Sequence, residues 1–133
     1  MIILTKQQLL VEIEAIEEKL IAFRRDLHRF PELSFQESRT AEKIADWLRG
    51  LELKVKTNVG EYGVTAELKG AFPGPTVALR ADIDALPIQE ETNLAFRSEN
   101  DGVMHACGHD VHTTCLLGAA SAFLSCSEMV RAK

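Results

Sequence analysis

Apolar residues at Leu9, Ile13, Ile16, Leu20, Phe23 and Leu27 alternate spacings of four and three, which lines them up as one stripe on a helix. The stripe predicts a helix from near Thr5 to just before Pro31, where the ring ends it. The same spacing suits a short coiled coil, but sheet signals follow soon after, so a helix lying on a sheet is expected. Ser34-Phe-Gln-Glu37 has the form of a capping box. It predicts a second helix running to about Gly50 that turns Ala41, Ile44, Ala45 and Leu48 inward. Residues 53–57 and 64–68 alternate apolar with polar, as half-exposed strands do. Residues 76–81 are more apolar and read as a central strand. Gly60, Gly63 and the 70–75 stretch supply turns. Residues 82–102 read as a loop. A last helix is expected just after Asp110, carrying Leu116, Leu117, Ala119, Ala120 and Phe123, with small residues at 118–122 suited to close approach to a strand. This order predicts an α/β fold, a mixed sheet with packed helices.

Composition narrows the function classes. The 133 residues are one domain's worth of chain, 46% apolar and 26% charged. A net charge of -5 gives no attraction to nucleic acid or an anionic membrane. No apolar run approaches the roughly 20 residues that span a bilayer. Lys6 closely follows the short apolar start, so no signal peptide is expected and the predicted location is cytoplasmic. Three cysteines give no disulfide framework. Cys115 and Cys126 lie in an apolar stretch and read as small buried hydrophobes. Arg24, Arg25, His28 and Arg29 end the first helix, where cations complement its dipole, and read as a solvated face.

The chemistry concentrates in Met104-His-Ala-Cys-Gly-His-Asp110 and His112, which hold three of the four histidines. Thiolate and neutral imidazole both ligate zinc and similar ions. Cys107 and His109 are two apart, so an extended segment points them the same way, and Gly108 permits a sharp turn. Asp110 has two readings. As the cap of the last helix it would put a helix N-terminus beside Cys107, favouring a thiolate. As an outer carboxylate it would orient the His109 ring. His105 and His112 are ligands or pocket residues. A second group, Arg80-Ala-Asp-Ile-Asp84, lies at the end of the expected central strand, where active groups of α/β sheets gather. Asp82 reads as a ligand or an orienting group, and Asp84 as the same or as a cap.

Together with Leu27-His28 and Pro31-Glu-Leu-Ser-Phe-Gln-Glu37, the runs Arg80-Ala-Asp-Ile-Asp-Ala-Leu-Pro-Ile-Gln-Glu-Glu91 and Met104-His-Ala-Cys-Gly-His-Asp110 closely resemble the M20 peptidase family. The nearest branch is its amidohydrolases of N-acyl amino acids, including hippurate, auxin-conjugate and N-acetyl-diaminopimelate hydrolases. The resemblance runs from about residue 20 to about residue 124. It implies a metal-dependent amide hydrolysis of small N-acyl amino acids, with Cys107 and His109 as metal ligands and Asp82 as an active-site residue. It also implies two divalent ions per complete site, manganese or zinc, and homo-oligomeric full-length relatives. Such relatives run to several hundred residues. Residues 1–133 are therefore expected to be a partial catalytic domain. The lid and dimerisation domain, the paired glutamates and the remaining histidine ligands are expected beyond them. Alone, the chain is expected to bind metal weakly, to hydrolyse nothing measurable and to be prone to aggregation through open sheet edges. Two other readings stand beside this one. Cys107 could be a nucleophile with His105 or His109 as its base, or the chain could be a non-catalytic binding module that works with a partner.

Overall fold

The computed structural model describes residues 5–131. Helices α1 (Lys6–Glu14), α2 (Glu17–Arg29) and α3 (Ser38–Gly50) come first, then strands β1 (Lys54–Val59) and β2 (Gly63–Glu67), then helix α4 (His109–Arg131). Among the described residues no helix is long and apolar enough to cross a membrane.

The first stripe forms two helices where the spacing predicts one. The break falls at Ile16 (φ -118°, ψ 6°), whose N–H turns back tightly to the Ile13 carbonyl while its own carbonyl starts the next helix by accepting from Leu20. No proline or glycine lies there, and the stripe keeps the same support on both sides of the break. That support is helix α4 rather than a sheet. At Gly118 an added Cβ would stand 3.1 Å from Leu20 Cδ1 and 3.5 Å from Ile13 Cδ1. The small-residue face of α4 thus admits the α1–α2 side chains, where a strand was expected.

A capping box does form, but at Thr5 and Gln8. Gln8 N–H donates to Thr5 Oγ1, and Thr5 N–H donates to Gln8 Oε1. The expected box at Ser34 does not cap α3. Phe35 takes a left-handed φ of 62°, and the helix opens four residues after Ser34 with no side-chain bond from its own cap. Its exposed donors go instead to Glu32, whose carboxylate accepts from Arg39 N–H at 3.1 Å and Thr40 N–H at 2.7 Å. An anion at a helix N-terminus satisfies both the unpaired N–H groups and the dipole.

Phe23, Leu27, Ile44, Leu48 and Leu117 form the core, with Trp47, Leu53, Val55, Val64, Ile83 and Ala120 packed around it. Trp47 meets Phe23 edge-on at 5.2 Å and donates from Nε1 to Ser121 Oγ. The α3 set is buried as predicted, and from the late α4 residues Leu117 and Ala120 join it while Phe123 is exposed.

The sheet is smaller than expected. β1 and β2 pair antiparallel with Val55 opposite Ala66 and an irregularity between Lys56 and Val59, where Asn58 has a positive φ, as do Gly60 and Glu61 in the turn that follows. Residues 76–81 form no strand, and Val77 and Leu79 are 77% and 59% exposed. Strand character requires a neighbour to complete the ladder, and among the described residues none pairs there. The α/β class holds; the sheet is a two-stranded hairpin rather than a mixed one.

Candidate metal centre

The two chemistry-bearing motifs are brought together by main-chain pairing. Leu86 and Met104 exchange N–H to carbonyl bonds at 2.9 and 3.0 Å, and Ala85 N–H donates to the Glu32 carbonyl. Beyond this junction Gly108 takes a φ of +80°, a conformation glycine adopts at no steric cost. Its carbonyl accepts from Val111 and His112 N–H, so α4 starts at His109. That is two residues earlier than the sequence suggests, and it places Asp110 inside the first turn.

The first turn of α4 grips the 82–84 segment twice. Thr113 Oγ1 donates to the Asp82 carbonyl at 3.1 Å. His109 Nδ1 lies 2.9 Å from the Asp84 carbonyl and 3.0 Å from Asp84 Oδ1. Those acceptors require Nδ1–H as the donor, which leaves the lone pair of Nε2 to serve as a metal ligand. A histidine oriented in this way by a carboxylate is the usual arrangement for metal ligation. Asp84, not Asp110, therefore holds the His109 ring.

The remaining candidates occupy different settings. Cys107 is exposed. His112 is exposed, with its ring 6.0 Å from that of His109. Asp82 has a half-exposed carboxylate on which Arg80 Nη2 donates at 2.6 Å. His105 is buried, and neither ring nitrogen has a hydrogen-bond partner. Burial pushes its pKa down; the Asp110 carboxylate opposes that shift without reversing it.

Asp110 neither caps α4 nor touches His109. It is completely buried, and its Oδ2 lies 2.8 Å from His28 Nδ1 and 2.9 Å from Arg24 Nε. His28 Nε2 faces Glu90 Oε1 at 3.3 Å. Glu90 also accepts from the Ser98 N–H and the Thr92 hydroxyl. Burial works to raise the Glu90 carboxyl, but those donors and His28 hold it below its ordinary value. The expectation that His28 and Arg24 belong to a solvated face is thus corrected: His28 is buried, while Arg25 is exposed. The one available signal was position. His28 adjoins Leu27 at the edge of the apolar stripe, so its ring turns toward the core.

Cys126 is buried as expected, but Cys115 is exposed on α4. Burial, and then the nearby Glu12 charge, raise the Cys126 thiol, which keeps it unreactive. Iodoacetamide should label two cysteines of the native chain, Cys107 and Cys115, and the third only in denaturant, as counted by intact mass.

Among the described residues, no three of His, Cys, Asp and Glu gather into a group able to hold a metal ion. The donor set fits a divalent ion in kind, a thiol and a pre-oriented imidazole separated by one glycine. It falls short in number, since protein sites commonly supply three or four ligands. The alternative of a cysteine nucleophile fares worse, because no histidine nitrogen is hydrogen-bonded to Cys107 among the described residues.

Residues 78–130 match peptidase family M20/M25/M40. The N-acyl-L-amino acid amidohydrolase of Geobacillus stearothermophilus is 47% identical over 131 residues, covering 96% of this chain and 35% of that protein. The N-acetylcysteine deacetylase of Bacillus subtilis is 54% identical over 109 residues, covering 80% of this chain and 28% of that one. The crystal structure of the Bacillus subtilis YXEP protein, a dinuclear metal binding peptidase from the M20 family, superposes with a TM-score of 0.81 at 50% identity, over 86% of this chain and 32% of that one. The chain thus spans about a third or less of the length of these relatives. With three ordered motifs, a shared fold and this level of identity, the chain belongs to peptidase family M20, of which it corresponds to the N-terminal part.

Proposed function

We propose that this chain supplies the first half of a divalent-metal site in an amidohydrolase of N-acyl amino acids, with Cys107 and His109 as ligands. The observation that carries it is the double contact of His109 Nδ1 with Asp84, which leaves Nε2 free. A divalent ion in such a site, zinc or manganese, supplies Lewis acidity to a carbonyl and lowers the pKa of water. The residues of this chain do the positioning. Asp84 holds the His109 tautomer, Gly108 sets the turn that separates the two ligands, and Thr113 tethers the Asp82 segment to α4. Asp82, held by Arg80 at the edge of the site, orients a ligand or base. The other ligands and the base come from sequence equivalent to the portion of the relatives that these residues do not match. A cytoplasmic location and a homo-oligomeric whole enzyme accompany the proposal.

The test is a chimera in which this chain replaces the matching 131 residues of the Geobacillus stearothermophilus amidohydrolase. It should hydrolyse N-acetyl amino acids, lose that activity to a chelator and regain it with added zinc or manganese. Cys107→Ser and His109→Ala should each lower kcat/KM by at least 100-fold. Activity that survives chelation but not iodoacetamide would favour the thiol nucleophile and overturn the metal assignment.

A further inference from the structure

The buried pairing of His28 with Asp110 is not explained by ligation, since neither residue is a proposed ligand. It joins α2 to the first turn of α4 across 82 positions of sequence. Asp110 directly follows His109, so whatever fixes Asp110 also fixes the backbone that carries the ligand. Within its own helix Asp110 engages only through its carbonyl, which accepts from Thr114 Oγ1 at 2.7 Å. Its Oδ1 is buried without a hydrogen-bond partner among the described residues. The side chain is therefore held from α2 alone, by His28 and Arg24 on the single oxygen Oδ2.

We infer that His28 is a positioning residue for the metal centre, acting through Asp110. This rests on the ligand assignment proposed above. The His28 ring is wedged edge-on against Phe96 at 5.6 Å, which limits its rotation. Arg24 Nη2 lies 3.4 Å from His28 Nδ1, longer than the 2.8 Å to Asp110, so the carboxylate is the partner that Nδ1 serves. The grip sets the rotation of the first helical turn. That turn in turn sets the approach of His109 Nδ1 to Asp84, and so the direction of Nε2. Displacing outer partners of this kind costs roughly 10–100-fold in metal affinity.

The two ring nitrogens contact different carboxylates, and this separates a positioning role from a merely structural one. In His28→Asn the amide nitrogen falls near the place of Nδ1 and still donates to Asp110, while the Glu90 contact is lost. In His28→Gln the amide reaches toward Glu90, while the Asp110 contact is lost. The probe is cobalt(II), titrated into the metal-free chimera described above and into its variants, and followed by the thiolate-to-cobalt absorption at Cys107. Folding is checked independently by circular dichroism. His28→Asn should retain cobalt affinity within about threefold, and His28→Gln should weaken it at least tenfold. Any other ranking, equal loss in both included, overturns the inference. Asp110→Asn is the second variant. It should weaken cobalt at least tenfold while leaving the Glu90 contact in place, and unchanged affinity would count equally against the inference. If the unsubstituted chimera gives no such absorption, or gives it undiminished in Cys107→Ser, the ligand assignment itself fails, a result distinct from any ranking of the His28 variants.

Discussion

Asp110→Ala is expected to lower the unfolding free energy by about 1–3 kcal/mol, because it leaves the buried His28 Nδ1 without its hydrogen-bond partner while the Nε2 contact with Glu90 remains. Asp110 is completely enclosed and His28 is 3% exposed, so water does not readily replace the missing carboxylate. Arg24 is 29% exposed at its side chain and can turn outward, which makes His28 the group that bears most of the cost. The measurement is urea unfolding followed by the fluorescence of Trp47, the only tryptophan, which lies against the core at Phe23. A loss below about 1 kcal/mol would mean that the pocket rehydrates and that the Asp110 network contributes little to the fold. Arg24→Ala should cost clearly less than Asp110→Ala, because a partly exposed cation leaves the His28 contact in place.

Leu27→Ala should cost about 2–5 kcal/mol, the range for emptying a buried leucine site whose surroundings relax only in part. Leu27 is 1% exposed and packs with Phe23, Ile44, Leu48 and Leu117. Side chains of α2, α3 and α4 all border the resulting cavity. The informative comparison is Leu79→Ala, expected to change stability by no more than about 0.5 kcal/mol. A central strand at 76–81 would instead make Leu79 as costly as Leu27. The two variants, measured together by the same urea titration, decide directly between the strand that the sequence suggests and the exposed segment observed.

Much of the site was legible beforehand because its signals are local. Cys107, Gly108 and His109 are neighbours in sequence, and the helix that follows them is marked by a continuous apolar pattern. The segment 82–84 was marked by two acids in a stretch that otherwise lacks them. Their meeting across the Leu86–Met104 junction and the Thr113 tether needed only that the loop between them close. The α3 helix and the β1–β2 hairpin were legible for the same reason, since alternation and glycine turns act over a few residues.

The errors share the opposite property. Ser34 is the local exception: it has the right neighbours for a cap, but the left-handed Phe35 turn breaks the box and the Glu32 carboxylate takes the first N–H groups of α3 instead. Arg24 and His28 look like cations at a helix end until a buried acid from α4 is placed against them. Cys115 sits among apolar residues, yet the crossing of α4 over α1 and α2 turns it outward.

By itself the sequence determined the helical stripes, the hairpin, the family motifs and the candidate ligand pair, since each depends on spacing along a few turns of chain. The tertiary structure alone decided which carboxylate serves which histidine: Asp84 for His109, and Asp110 and Glu90 for His28. The physical reason is that hydrogen-bond partners are chosen by distances near 3 Å, and those distances are set by how helices cross rather than by how residues follow one another.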